Sequence, residues 1–208
     1  AQSTAAVKPW SDPIALPLVP ASAGHLPDGK LLLWAGSTPT TFGTNNGAST
    51  YTAIFDPVTR ASTPLTVTPT GHEMFCPGLS MLADGRVLVT GGSDAPKTSI
   101  YDPATGAWTA GALLAIPRAY QSSTTMSDGS VFTVGGSWNG GAGGKYGEVW
   151  SAGTGTWRTL AGVPANMPDA SNVSNPPLAG PDAAGVYRGD NHMWLFGSSG
   201  DWVFHAGP

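Results

Sequence analysis

The sequence lacks several features that define large classes of proteins. It has one cysteine, Cys76, so no disulfide can form within the chain. Charged residues make up 11% of the chain, against about a quarter in average globular proteins, and such a composition is more typical of extracellular proteins. Apolar runs are only a few residues long, far short of the roughly twenty of a membrane-spanning helix. The formal net charge of −4 argues against a nucleic-acid partner.

Glycine and proline are abundant, with 29 and 19 residues, and they fall between short apolar segments. This arrangement predicts many tight turns. No stretch shows the sustained apolar spacing of an amphipathic helix, so helices should be almost absent. The start at Ala1-Gln2-Ser3 is what a mature chain would show after signal-peptide removal, and Asn172 begins a glycosylation sequon. We therefore expect a secreted all-β protein.

A nine-residue pattern recurs along the chain. Asp84–Gly92 and Asp128–Gly136 are 44 positions apart, and each reads as an Asp-Gly turn, a short apolar strand and a pair of glycines. Degenerate copies occupy Asp28–Gly36 and His192–Gly197. Such a period indicates a repeat architecture in which each copy is one small sheet.

A second pattern follows the paired glycines: Tyr101 and Trp108 are seven positions apart, as are Trp150 and Trp157, with a turn sequence between them. This predicts a hairpin with an aromatic residue on each strand. Units of about 45–50 residues with these marks resemble kelch repeats, which form propeller blades. Residues 1–208 would supply the first three to four blades of a kelch-like β-propeller, with the rest on a second polypeptide or a further segment. A β-sandwich with coincidental repeats is the alternative.

Two loop segments place reactive side chains at equivalent positions of neighbouring blades. Cys76 and Tyr120 each precede a predicted inner strand, and they are 44 residues apart, the same spacing as the repeat. Equivalent positions of adjacent blades lie side by side around a propeller channel, so the thiol and the phenol should meet there. Trp138 comes two positions after a pair of glycines, in a loop at the channel end.

The segments Cys76–Gly78, Tyr120–Ser123, Gly135–Trp138 and Tyr187–His192 occur together, in order, in a stretch that runs from about Trp10 to the end. In this the sequence resembles the copper-radical oxidase family that includes galactose oxidase. The resemblance implies a seven-bladed propeller that oxidises a primary alcohol to an aldehyde and reduces O₂ to H₂O₂.

The resemblance also implies roles for individual residues. Cys76 would be joined to a ring carbon of Tyr120 by a thioether, and Tyr120 would be a ligand of one copper ion and the site of the radical that takes a hydrogen atom from the alcohol. Trp138 would stack over the sulfur and shield the radical. Phe42 and Arg188 match positions that contact substrate, the first as an apolar face and the second as a guanidinium fork for adjacent hydroxyls.

The remaining copper ligands of the family, one tyrosine and two histidines, would lie in later blades outside this chain. The four histidines here, His25, His72, His192 and His205, are therefore expected to be structural. The sequence departs from galactose oxidase in two ways: it has no counterpart of the carbohydrate-binding module, and Ala184 replaces a substrate-contacting glutamine. The second difference leaves the identity of the alcohol open.

Other interpretations exist for each residue and for the whole chain. Cys76 could be an inert buried thiol, Tyr120 an ordinary blade aromatic, Trp138 a surface-loop residue, and Arg188 an ion-pair partner of Asp190. The whole protein could be a non-catalytic kelch propeller that binds a glycan or a protein partner. A glycosidase would need paired carboxylates. The repeat pattern does not bring together any two of the candidate acids, which are Glu73, Asp169 and Asp190.

Overall fold

The computed structural model describes residues 10–41, 48–140, 144–163, 193–199 and 202–206. Within these ranges the regular secondary structure consists of fourteen strands and no helix, as the absence of helical periodicity predicts. In this described part of the chain, no helix has the length and apolar character needed to span a bilayer.

The strands form three four-stranded antiparallel sheets and one two-stranded sheet, each in chain order. The first sheet contains β1 (Ser22–His25), β2 (Leu31–Trp34), β3 (Ala48–Phe55) and β4 (Ser62–Gly71). The second contains β5 (Gly78–Met81), β6 (Val87–Thr90), β7 (Thr98–Asp102) and β8 (Ala107–Ala110). The third contains β9 (Ser122–Thr125), β10 (Val131–Val134), β11 (Gly147–Trp150) and β12 (Trp157–Leu160), and the last contains β13 (Trp194–Gly197) and β14 (Val203–Ala206).

The first strands of successive sheets contact one another. β1 contacts β5, β5 contacts β9 and β9 contacts β13. The Thr125 hydroxyl donates to the Met81 carbonyl at 2.5 Å, and the Gly197 N–H donates to the Thr124 hydroxyl at 3.1 Å. These strands therefore line the inner side of the array. The arrangement is that of part of a β-propeller, while the seven-blade count stays a prediction.

The same Asp-Gly turn joins the first two strands of each complete sheet. Gly29, Gly85 and Gly129 have φ between 82° and 87°, which glycine adopts without strain. The preceding carboxylates accept the backbone N–H two residues on, at 2.8–3.2 Å. Because of side-chain and backbone hydrogen bonds, the pKa lies below the usual aspartate value in all three, Asp28, Asp84 and Asp128.

The aromatic pairs lie where the sequence predicts them. Tyr101 is directly opposite Trp108 on β7 and β8, with ring centroids 5.2 Å apart, and Trp150 is directly opposite Trp157 on β11 and β12. Cross-strand aromatic pairs of this kind stabilise an antiparallel hairpin. The predicted outer hairpins are therefore confirmed for the second and third sheets.

The core consists of apolar layers between adjacent sheets. Leu32 and Trp34 of the first sheet pack with Val87 and Val89 of the second. Further layers separate the second sheet from the third, and the third from β13 and β14. Successive sheets thus stack in series, which favours a propeller over a two-sheet sandwich. Stacking in register brings the loops before β5 and β9 to the same end of the array.

The paired glycines after β6 allow the loops before β5 and β9 to approach each other. Gly91 and Gly92 have φ of 64° and 99°. A Cβ on Gly91 would overlap the Arg118 carbonyl oxygen, and one on Gly92 would lie 2.5 Å from the Phe75 carbonyl oxygen. Gly92 N–H also donates to Arg118 O at 3.0 Å. The pair therefore connects the segment before Cys76 with the segment before Tyr120.

Gly91→Ala should destabilise the protein far more than Gly106→Ala. Gly106 has a similar φ of 69°, but no atom lies within 4 Å of its Cβ position, so alanine there meets only the left-handed backbone cost of about 1–2 kcal/mol. Alanine at Gly91 adds a clash with backbone that cannot relax locally, and overpacking costs about 1–3 kcal/mol more. Denaturant unfolding of both variants measures the difference; equal losses would contradict the close approach.

Candidate active site

Cys76 and Tyr120 lie in neighbouring loops at the start of β5 and β9. The Tyr120 N–H donates to the Cys76 carbonyl oxygen at 3.0 Å, so the two backbones are in direct contact. The Tyr120 hydroxyl is also a hydrogen-bond partner of the Cys76 thiol. The structure thus brings together the two side chains that the repeat spacing predicts to meet, and the sulfur lies near the hydroxyl end of the ring.

Both residues have backbone conformations that are rare for side chains of their size. The φ angles are 54° for Cys76 and 61° for Tyr120. A non-glycine residue in the left-handed region costs of order 1–3 kcal/mol and persists only where its surroundings enforce it. Two such residues in contact at one site therefore indicate a functional constraint on where the thiol and phenol point.

The Cys76 thiol is not activated as a thiolate. Burial raises its pKa above the usual value, and the hydrogen bond with Tyr120 opposes this shift. A raised pKa keeps the thiol protonated at neutral pH, whereas a nucleophilic cysteine has a lowered pKa. The side chain that the structure places against this protonated thiol is Tyr120.

Trp138 covers the phenol. Its ring centroid is 5.2 Å from that of Tyr120, with the ring planes inclined by 57°, and half of the residue is exposed. The Ala119 N–H donates to the Gly136 carbonyl at 3.1 Å, and Ala119 forms a parallel bridge with Ser137. The loop that carries Tyr120 and the loop that carries Trp138 are therefore joined through their backbones.

A buried ion pair braces the Tyr120 loop, and the sequence analysis did not find it. The Arg118 guanidinium and the Glu148 carboxylate are 2.7 Å apart, and both side chains have no exposed surface. Arg118 also donates to the carbonyls of Gly135 at 2.7 Å and Tyr146 at 2.8 Å. Glu148 accepts the Ala115 N–H at 2.8 Å. The pair thereby fixes the segment that ends at Tyr120 against the third sheet.

His72 is a structural histidine, as predicted. Its Nδ1 is 2.9 Å from the Ser99 hydroxyl and its Nε2 is 2.9 Å from the Gly91 carbonyl. Burial lowers its pKa to about 4, so it is neutral at physiological pH. Because both ring nitrogens already have partners, His72 is not a candidate metal ligand.

The described residues contribute one donor of the predicted copper site. Within these ranges, no group of three or more His, Cys, Asp or Glu side chains is close enough to hold a metal ion. Tyr120, beside the thiol and beneath Trp138, fits the role of a single phenolate ligand in a site completed by other residues. Several predicted residues lie outside the described ranges: Phe42, Asn172, Ala184, Arg188 and His192.

The chain is 46% identical over 200 residues to galactose oxidase of Gibberella zeae, an alignment that covers 96% of this chain and 28% of that enzyme. A second galactose oxidase sequence from the same organism gives the same values. No protein-family model matches the chain. The chain thus spans just over a quarter of the length of these curated relatives.

A solved structure has the same fold. It is a fungal alcohol oxidase of the AA5 family, described as catalytically diverse and determined in complex with copper. The TM-score is 0.71 at 36% identity, over 87% of this chain and 36% of that one. The galactose oxidase relative is a single chain, so it gives no support to a separate second polypeptide. By sequence and by fold, this chain belongs to the family of galactose oxidase and the AA5 copper alcohol oxidases.

Proposed function

We propose that the protein is a copper-radical oxidase that converts a primary alcohol and O₂ into an aldehyde and H₂O₂. The observation that supports this most strongly is the contact between the only thiol of the chain and the Tyr120 phenol. An inert buried cysteine needs neither that contact nor the left-handed backbone conformations of Cys76 and Tyr120. The 46% identity to galactose oxidase supports the same reaction class.

Cys76 and Tyr120 would form a thioether between Sγ and a ring carbon next to the hydroxyl. The reaction removes the thiol hydrogen and one ring hydrogen, and O₂ takes both to give H₂O₂. Sulfur on the ring donates electron density, so the phenol becomes easier to oxidise. Tyr120 would then hold the radical that accepts a hydrogen atom from the alcohol carbon.

Bound copper would supply one-electron redox chemistry at this position. The Tyr120 phenolate oxygen would be one of its ligands, and a tyrosine and two histidines outside this chain would be the others. Trp138 would exclude water from one face of the Tyr120 ring, which it already contacts. Arg188 and Phe42 would contact the substrate. Because Ala184 has no side-chain amide with which to bind a sugar hydroxyl, the proposed substrate is either a sugar of the galactose type or another primary alcohol.

The proposal includes further polypeptide that closes a seven-bladed propeller after the first three blades and the beginning of a fourth. Four aromatic side chains in or next to the last sheet are more than half exposed, and patches of this kind indicate a packing surface; they are Trp194, Phe196, Trp202 and Phe204. A continuous chain would provide that polypeptide, as in the single-chain relative. Consistent with its low charge, the enzyme would be secreted.

A peroxide assay tests the proposed function. Protein that contains the whole propeller, loaded with copper, should release H₂O₂ and aldehyde in equal amounts from galactose or from another primary alcohol, and none from a secondary alcohol. Binding of a glycan without peroxide from any alcohol would instead favour the non-catalytic propeller.

A further inference from the structure

Trp138 lies in a loop that cannot by itself hold an aromatic ring in one place. Gly135 and Gly136 precede it and Gly140 follows, all with positive φ. Glycine gives the backbone more conformational freedom than any other residue, so fixing such a loop has a high entropic cost. The Trp138 ring nevertheless lies at 5.2 Å from that of Tyr120 while half exposed. Contacts beyond its own packing must fix it.

Lys145 supplies the first of these contacts. It is 1% exposed, and its Nζ donates to the carbonyls of Asn139 and Gly140 at 3.0 Å each and to that of Pro117. Three carbonyls match the three N–H donors of an ammonium group. Asn139 and Gly140 directly follow Trp138, and Pro117 is three residues before Tyr120. One buried cation therefore ties the Trp138 loop to the Tyr120 loop.

Asn139 supplies the second contact, on the side of Cys76. Its amide Nδ2 donates to the Ser93 carbonyl at 2.8 Å and to the Gly92 carbonyl at 3.1 Å. The Ser93 N–H in turn donates to the carbonyl of Phe75, the residue before Cys76, at 3.1 Å. The Trp138 loop is thus anchored to both of the loops that carry the proposed thioether.

We infer that Lys145 and Asn139 are positioning residues that hold Trp138 over Tyr120. The inference rests on the proposed function, in which Trp138 held in this position keeps water away from an oxidised Tyr120. Burying an ammonium group is expensive, and a methionine of similar length would fill the same space without that cost. A buried lysine that donates three hydrogen bonds to these two loops therefore serves their geometry rather than the bulk of the core.

Fluorine NMR of copper-free protein containing fluorotryptophan tests the inference. The Trp138 resonance is identified by its loss in Trp138→Phe, and exposed Trp10 is the reference for a solvated ring. In otherwise unchanged protein, Tyr120→Leu should shift the Trp138 resonance, because the Tyr120 ring is 5.2 Å away. In Lys145→Met and in Asn139→Ala, the resonance should move toward that of Trp10 and lose its response to Tyr120→Leu.

Val131→Ala is the control. It truncates a fully buried side chain of the third sheet without touching the Tyr120 loop or the Trp138 loop. It should leave the Trp138 resonance and its response to Tyr120→Leu in place. Should Lys145→Met fail to fold, the Trp138 resonance of the milder variant Asn139→Ala tests the inference alone.

Because the NMR samples contain no copper, the position of the Trp138 resonance is independent of the oxidase reaction. Missing peroxide with a displaced Trp138 resonance would refute the function and keep the positioning role. A Trp138 resonance that stays in place and still responds to Tyr120→Leu in both variants would overturn the inference.

Discussion

Tyr120→Phe should reduce alcohol oxidation to the background of free copper while the protein remains folded. Phenylalanine keeps the ring that packs against Trp138 but has no oxygen to bind copper and no hydroxyl hydrogen to lose. The variant should also lack the thioether, because a ring without the hydroxyl is much harder to oxidise. The loss of activity is measured as peroxide release with a saturating primary alcohol, in protein that contains the whole propeller.

Tyr101→Phe is the matched control for this experiment. Tyr101 forms an aromatic pair with Trp108 at the same centroid distance of 5.2 Å, but on the outer hairpin of the second sheet. It should retain full peroxide release. Similar activity of the two variants would show that Tyr120 is an ordinary blade aromatic.

Arg118→Met should destabilise the protein by about 3–5 kcal/mol, because it leaves the Glu148 carboxylate buried without its ion-pair partner. Domains are stable by only about 5–15 kcal/mol, so this is a large fraction of the total. The double variant Arg118→Met with Glu148→Leu should recover part of the loss, because it removes the unpaired charge but leaves the Gly135 and Tyr146 carbonyls and the Ala115 N–H without these partners. Urea unfolding of the three proteins measures the effect.

Arg86 provides the comparison for this ion pair. It forms an ion pair with Asp84 at the same 2.7 Å, but the two side chains are 37% and 54% exposed. Exposed pairs contribute about 0–1 kcal/mol, so Arg86→Met should change the stability little. Equal losses for Arg86→Met and Arg118→Met would contradict the special role of the buried pair.

The repeat explains why so much of the fold and the site could be predicted from sequence. Each Asp-Gly turn and each aromatic pair is a local signal, and local signals specify a hairpin without knowledge of its neighbours. The meeting of Cys76 and Tyr120 is a long-range contact, but their spacing equals the repeat length. Equivalent positions of adjacent sheets are neighbours once the sheets stack, so the contact follows from the period.

The supporting residues could not be predicted in the same way. Arg118 and Glu148 are thirty positions apart and in no repeated register, so only the folded chain shows that they pair. Lys145 binds three carbonyls, and carbonyl positions leave no trace in a sequence. The one available signal was chemical: three charged side chains, in a chain with few charges, cluster around the segments of Tyr120 and Trp138. Gly91 and Gly92 are recognisable as strand ends, yet their close contact with the next loop is not.

The most direct test of the account is the covalent state of Cys76 and Tyr120. Trypsin should release residues 61–86, which contain the cysteine, and residues 119–145, which contain the tyrosine. After exposure of the copper-loaded protein to O₂, mass spectrometry should find the two peptides joined and lighter by two hydrogens than their sum, whereas Cys76→Ser gives only separate peptides. Recovery of both peptides separate and unmodified from the copper-treated wild-type protein would contradict the account.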